Sequence, residues 1–226
     1  MTDLSRKKIN NERIGIFGGS FDPIHYGHLR CAEEVAEALG LSRIIFIPAS
    51  VSPLKCEAKP VEASLRLKMI ELATGPNSIF EYSDIEILRG GSSYTIDTIR
   101  GLCEALSISS AQLTLLIGSD AFNDIASWCD YEELLALVDI AVILREGVAI
   151  KKPSELLPVE VARNFCYDKE NDAYLGTSGQ RIYYLSTTPF GVSSTDIRER
   201  VKEGLSLRYL LPSVVEEFIL KEGLYK

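Results

Sequence analysis

Six short runs of the chain are strand candidates, several of them continuously apolar. They are RIGIF at 13–17, RIIFI at 43–47, FEYSDIEI at 80–87, LTLLI at 113–117, DIAVIL at 139–144 and RIYYL at 181–185. Continuous apolar runs suit strands covered on both faces. Between the first two, HLRCAEEVAEALG repeats Leu29, Ala32, Ala36 and Leu39 at helical spacing and stops at Gly40. Helical patterns also occupy 61–73, 94–106, 126–138 and 153–165. Steady alternation of strand and helix predicts an α/β fold: right-handed crossovers, a doubly wound and mostly parallel sheet, and ligands at the carboxyl ends of the strands. The polar stretch 167–180 (YDKENDAYLGTSGQ) reads as a surface excursion. The part from 193 to 226 reads as two C-terminal helices, one starting at SSTDIRERV and stopping near Gly204, the other starting after Pro212 and stopping near Gly223.

At 226 residues the chain is expected to form one domain, 1–226, with a polar N-terminal extension over 1–13. A hydrophobic share of 46%, a charged share of 25% and a mean hydropathy of +0.07 argue against disorder or a disulfide-built miniprotein. The net charge of −8 argues against a broad electrostatic grip on nucleic acid or an anionic membrane, so any positive charge for an anionic ligand must be local. Five scattered cysteines without a C-x-x-C pair fit reduced thiols. With no signal-peptide pattern and no apolar run near the ~20 residues of a membrane span, a cytoplasmic protein is expected. Oligomeric state is not readable from these features.

The most informative segment is GIFGGSFDPIHYGHLR at 15–30. A buried strand ends in Gly18 and Gly19, a turn with Ser20 and Phe21 follows, and His25 and His28 arrive where the helical period begins. Backbone N–H groups and two imidazoles at a helix start, beside glycines that admit a ligand to the main chain, make a phosphate site. Neither G-x-G-x-x-G nor G-x-x-x-x-G-K-[ST] occurs, so the redox-dinucleotide and P-loop readings lose their support. His25 and His28 are the only histidines. A zinc site would need a third ligand from scattered residues, and no metal site is assigned; a polar turn with incidental imidazoles is the plain alternative.

GGSFDPIHYGH resembles the opening signature of the H-x-G-H nucleotidylyltransferase superfamily, which implies a Rossmann-like nucleotidylyltransferase fold. SSTDIR at 193–198 is similar to the superfamily's second signature, I-S-S-T-x-I-R, with Val192 where isoleucine is commoner. Ser193 followed by Asp196 also has the form of a helix cap, and capping is compatible with phosphate binding by Ser194, Thr195 and Arg198.

The interior resembles the bacterial nicotinate mononucleotide adenylyltransferases. The matching pieces are PASVSPLK at 48–55, Arg66 with Met69 and Ala73, Ser93-Tyr94-Thr95, Gly118-Ser119-Asp120, Trp128, Arg145 and VEEFILKEGLY. Leu54 stands where that family often has histidine, and Glu146 where it has proline. The resemblance implies transfer of AMP from ATP to nicotinate mononucleotide, in NAD biosynthesis, with release of pyrophosphate. It implies His25, His28, Lys55 and Arg198 as catalytic residues, and Gly18, Gly19, Ser20, Phe21, Gly118, Asp120, Arg145, Ser194 and Thr195 as ATP-binding. Thr95, Trp128 and Cys129 are implied for nicotinate mononucleotide, with helical N–H groups over 126–131 aimed at the pyridine carboxylate and Mg²⁺ arriving with ATP. Plainer roles exist for each: Asp120 as a cap, Trp128 as half-buried packing, Lys55 as a solvated charge. The alternatives are another adenylyl- or cytidylyltransferase of the superfamily, such as the pantetheine-phosphate type, or a nucleotide-binding module without catalysis.

Overall fold

A computed structural model describes residues 12–50 and 60–226. Lys55, and Cys56 beside it, lie outside the described residues. The first half comprises β1 (Ile14–Gly19), α1 (Tyr26–Leu39), β2 (Arg43–Pro48), α2 (Ala63–Thr74), β3 (Phe80–Tyr82), α3 (Ile85–Arg89) and α4 (Thr95–Leu106). The middle comprises β4 (Leu113–Gly118), α5 (Ser119–Asn123), α6 (Tyr131–Leu137), β5 (Asp139–Ile143), α7 (Pro153–Leu156) and α8 (Val159–Ala162). Strands β6 (Phe165–Asp168), β7 (Ala173–Gly176) and β8 (Arg181–Leu185) precede α9 (Ser194–Lys202) and α10 (Ser213–Glu222).

The strands form one sheet in the order β3-β2-β1-β4-β5-β8-β7-β6. From β3 to β8 every pairing is parallel, and β7 runs antiparallel to both β8 and β6. The chain winds outward from β1 through β2 to β3, then returns to β4 on the other side of β1. The β1–β4 boundary is therefore the switch point where loops diverge and leave a crevice.

Alternating side chains explain why the strand sequences read as unbroken apolar runs. Phe17, Ile44, Phe46 and Leu116 pack on one face against Ala32, Val35, Met69, Ile70, Ile197, Val215 and Ile219 from α1, α2, α9 and α10. Ile14, Ile16, Ile45, Leu115 and Val142 pack on the other against Ile96, Ile99, Leu102, Phe122 and Leu134 from α4, α5 and α6. None of the helices among the described residues is long and apolar enough to cross a membrane.

Local boundaries follow from identifiable caps and breaks. Gly40 closes α1 with a left-handed φ of 61°. Ser193 opens α9 by accepting from the Asp196 amide at 3.1 Å. Three expectations need correction. The run 80–87 is strand only to Tyr82, because Ser83 Oγ accepts from the Ile85 amide at 3.3 Å and a short helix starts after Asp84 instead. The helix expected over 153–165 is two short helices divided by Pro158, whose ring disfavours helical backbone at Leu157. The excursion at 167–180 contributes β6 and β7, a hairpin that extends the sheet; Asp168 Oδ1 accepts from the Glu170 amide at 3.1 Å and starts the reversal.

Candidate active site

Three groups of predicted residues gather at the carboxyl edge of the parallel strands. The first is built on the loop between β1 and α1. His25 is the residue before α1, extended at φ −148°, and His28 lies in the first helical turn. Their rings stack with centroids 3.7 Å apart and planes inclined by 24°. Gly27 makes room for this: a Cβ there would stand 3.0 Å from His25 Nδ1. The His25 amide donates to His28 Nδ1 at 3.3 Å, which leaves the proton of a neutral His28 ring on Nε2, ready to donate. His25 is 6% exposed and its Nδ1 has no hydrogen-bond partner. Burial first, and the Arg145 guanidinium second, lower its pKa to about 4, while Asp196 pulls the other way.

The loop itself is tied at successive carbonyls by side chains from distant elements. Arg66 Nη1 donates to Ser20 O at 2.8 Å, Arg198 Nη1 to Asp22 O at 2.7 Å and Ser194 Oγ to Pro23 O at 2.9 Å. Arg198 Nη2 also donates to Thr195 Oγ1 at 3.1 Å, so the SSTDIR segment both caps α9 and grips the loop. Phe21 is buried at φ 46° with its ring edge-on to His28. Of the glycine pair, Gly18 faces open space, whereas a Cβ at Gly19 would meet the Phe21 ring at 3.1 Å. The main chain at Gly18 is thus open to approach, whereas the space beside Gly19 is filled by the loop's own Phe21.

The second group lies after β4 and β5. Arg145 Nη1 and Asp120 Oδ2 form an ion pair at 3.0 Å, with side-chain exposures of 57% and 49%. Both reach across Gly118, where a Cβ would fall 2.4 Å from Asp120 Oδ1 and 2.8 Å from Arg145 Nε. The Arg145 amide donates to Ser119 Oγ at 3.1 Å, locking the two strand ends together.

The third group surrounds the start of α4. Thr95 is its first residue, and Ser93 just before it accepts from the Ser50 amide at 2.9 Å, tying this segment to the end of β2. Trp128 is half-buried, with its indole N–H enclosed and lacking a partner. Cys129 is exposed, and desolvation with the Asp130 and Asp97 carboxylates raises its pKa. A shallow cavity of about 460 Å³ is lined here by Ala126, Trp128, Asp130, Tyr131, Glu132 and Glu133. One expectation fails: 126–131 is not a continuous helix. The Ser127 and Trp128 amides are spent in a single 3-10 turn, on Asp124 O at 2.9 Å and Ile125 O at 3.0 Å.

Arg66, in the sequence only one residue of the family match, organises the site. At 1% exposure it donates to Val61 O, Ser20 O and Ala49 O at 2.7–2.8 Å. The available signal was an arginine in line with the buried face of α2 that carries Met69, Ile70 and Ala73. Asp22, buried three residues before His25, was also missed; it lies inside the motif but contributes no obvious ligand.

A doubly wound sheet with paired imidazoles at its switch point defines a nucleotidyltransferase type, and residues 16–200 match the family model described as cytidylyltransferase-like. Relatives sharpen this. A protein described as a probable nicotinate-nucleotide adenylyltransferase from Geotalea uraniireducens is 40% identical over 213 residues, covering 94% of this chain and 98% of its own. Its counterpart from Citrifermentans bemidjiense is 41% identical over the same shares. Within the cytidylyltransferase-like family, the chain belongs to the nicotinate-nucleotide adenylyltransferases. The fold agrees with that of the Plasmodium falciparum nicotinic acid mononucleotide adenylyltransferase solved with NaAD: TM-score 0.67 at 17% identity, covering 95% of this chain and 97% of that one.

Proposed function

We propose that the protein joins ATP and nicotinate mononucleotide into nicotinate adenine dinucleotide, the adenylyl-transfer step of NAD biosynthesis. An oxygen of the mononucleotide 5′-phosphate attacks the α-phosphorus of ATP, the bond to the bridging β-phosphate oxygen breaks, and pyrophosphate leaves with that electron pair. The nucleophile is already an anion, so no general base or protein nucleophile is needed. The demands are alignment of two repelling phosphates and stabilisation of charge on the α-phosphate and the leaving group.

The observation that carries this reading is the stacked His25–His28 pair at the start of α1. His28 Nε2–H and the neutral His25 ring donate to the transferring phosphate, beside the amino end of a helix of 14 residues. Gly18, Gly19, Ser20 and Phe21 border the phosphates, and Ser194, Thr195 and Arg198 approach them from α9. Lys55 joins them by family resemblance alone. Gly118 and Asp120 take the adenosine ribose, and Arg145 exchanges its carboxylate partner for the triphosphate. Mg²⁺ would arrive with ATP and offset charge on the triphosphate, and a loop whose groups donate to anions fits such a complex. Thr95 takes the pyridine carboxylate, Trp128 covers the ring and Cys129 borders it.

The NaAD of the Plasmodium enzyme is the product this reaction would make. The test is pyrophosphate release with ATP and a panel of acceptors. Nicotinate mononucleotide should be the efficient one; faster turnover with pantetheine phosphate, or with CTP and an alcohol phosphate, would replace the assignment.

A further inference from the structure

We propose that Tyr225 is a positioning residue for adenylyl transfer, holding through Asp22 the loop that carries His25 and His28. The proposal rests on the function given above and adds a residue to it. The Tyr225 hydroxyl donates to Asp22 Oδ1 at 2.7 Å across 203 positions of sequence. Asp22 is 7% exposed and stands three residues before His25. Ser20, Asp22 and Pro23 already have their carbonyls held by Arg66, Arg198 and Ser194. Tyr225 takes the loop's side-chain handle.

In a trans peptide the N–H points opposite to the C=O. Fixing Ser20 O toward Arg66 and Pro23 O toward Ser194 therefore aims the Phe21 and Ile24 amides the other way. A loop held so presents fixed dipoles, and fixed dipoles are what a transition state with developing charge rewards. Without the phenol, a buried Asp22 carboxylate must find another donor. Arg66 and Arg198 both lie close enough to influence Tyr225 electrostatically, and re-pairing with either would loosen a carbonyl tie.

The backbone supplies an independent sign that Tyr225 is held for this contact. Gly223 closes α10 at φ 63°, and Tyr225 then adopts φ 65°, a left-handed conformation unfavourable for a bulky residue. Tyr225 and Leu224 pack against the core on the α1, α2 and α10 side, so burial and the bond to Asp22 together offset that strain. Burial and the adjacent carboxylate push the phenol pKa up, which keeps it a donor.

The test uses the full chain with Tyr225→Phe, Asp22→Ala and the double variant. Tyr225→Phe should lower kcat about tenfold while the KM for ATP stays within about twofold, because the lost alignment is felt in the transition state. In the Asp22→Ala background the same change should have no further effect. Amide hydrogen exchange over 19–28 should speed up in Tyr225→Phe and remain unchanged in β4 and β5. Unaltered kcat, whatever the melting temperature does, would make Tyr225 merely structural and overturn the proposal; so would equal losses in both backgrounds, or unaltered exchange over 19–28. Should Asp22→Ala fail to fold, the split between kcat and KM and the exchange data decide on Tyr225→Phe alone. A wild type that releases no pyrophosphate with nicotinate mononucleotide would remove the assigned function, and the exchange measurement would still judge the contact.

Discussion

The loop between β1 and α1 and the surface bearing Asp120, Arg145, Thr95 and Trp128 share one edge of the sheet but are built differently. In the loop, Phe21, Asp22, Ile24 and His25 are all buried, and its carbonyls are claimed by side chains from α2 and α9. On the other surface, Asp120 and Arg145 are about half exposed and satisfy each other, and the Trp128 segment is a single turn followed by Asp130 at φ 49°. On the proposed function the loop would meet the transferring phosphate, whose developing charge rewards a site that does not reorganise. On the same reading the exposed surface would receive the ribose and pyridine groups, and its screened partners can be exchanged for them at little cost.

The largest expected effect tests the rigid half. His28→Ala should lower kcat roughly a hundredfold with little change in ATP KM, equivalent to about 3 kcal/mol of stabilisation made in the transition state. Steady-state pyrophosphate release measures it; a loss confined to KM would move His28 from catalysis to binding.

The same burial leaves a mark on stability. The pKa of His25 falls from 6.5 to about 4, so between those values the unfolded chain binds a proton that the folded one refuses. Stability should be flat above pH 6.5 on this account and decline by up to about 3 kcal/mol as pH drops toward 4. Denaturant unfolding of wild type and His25→Gln over this range checks it: the glutamine variant should lose most of that slope. Equal slopes would place the acid sensitivity elsewhere.

The adjustable half should show its character in substrate choice. Nicotinate mononucleotide is expected to exceed its amide analogue by about 2 kcal/mol, or roughly 30-fold in kcat/KM. With the Ser127 and Trp128 amides occupied, the preference falls to Thr95 and the start of α4. Trp128→Ala should slow both acceptors and leave the preference; equal efficiencies in the wild type would remove the α4 terminus from the acceptor site.

Smaller effects come from the ion contacts. Arg198→Lys cannot hold Asp22 O and Thr195 together and should lose roughly tenfold in kcat/KM despite its unchanged charge; near wild-type efficiency would leave α9 with only its cap. Asp120→Asn, by contrast, should change folding stability by less than about 0.5 kcal/mol, because the pair it breaks is solvent-screened. A loss well above that in a denaturant titration would mean this surface is as rigid as the loop.

The sequence showed the parallel core plainly because β1, β2, β4 and β5 are covered on both sides and leave no polar positions to confuse the period. Errors occurred where a few polar groups decide the backbone. Ser83 and Asp84 turn an alternating run into a helix start, and Pro158 divides a helical pattern that is otherwise sound. The hairpin of β6 and β7 was hidden by its charged turn and its position at the sheet edge, where one face needs no apolar cover. Within the site, His25, His28 and Arg198 were legible because their motifs are local. Arg66, Asp22 and Tyr225 were not, since their task is to contact main chain or one another across the fold, which no spacing reveals.

The ties on the phosphate loop also fix when it can be finished. Arg66 lies 46 positions from its carbonyl partner, whereas Ser194 and Arg198 lie 171 and 176 positions from theirs. Contacts closed over such long separations form late, after the loop entropy of everything between has been spent. During synthesis β1, α1 and β2 emerge first, whereas the α9 ties to the loop become available only once Arg198 has been made, and the tie from Tyr225 later still. The first strand to be made therefore carries a loop whose tying partners are among the last residues to be made.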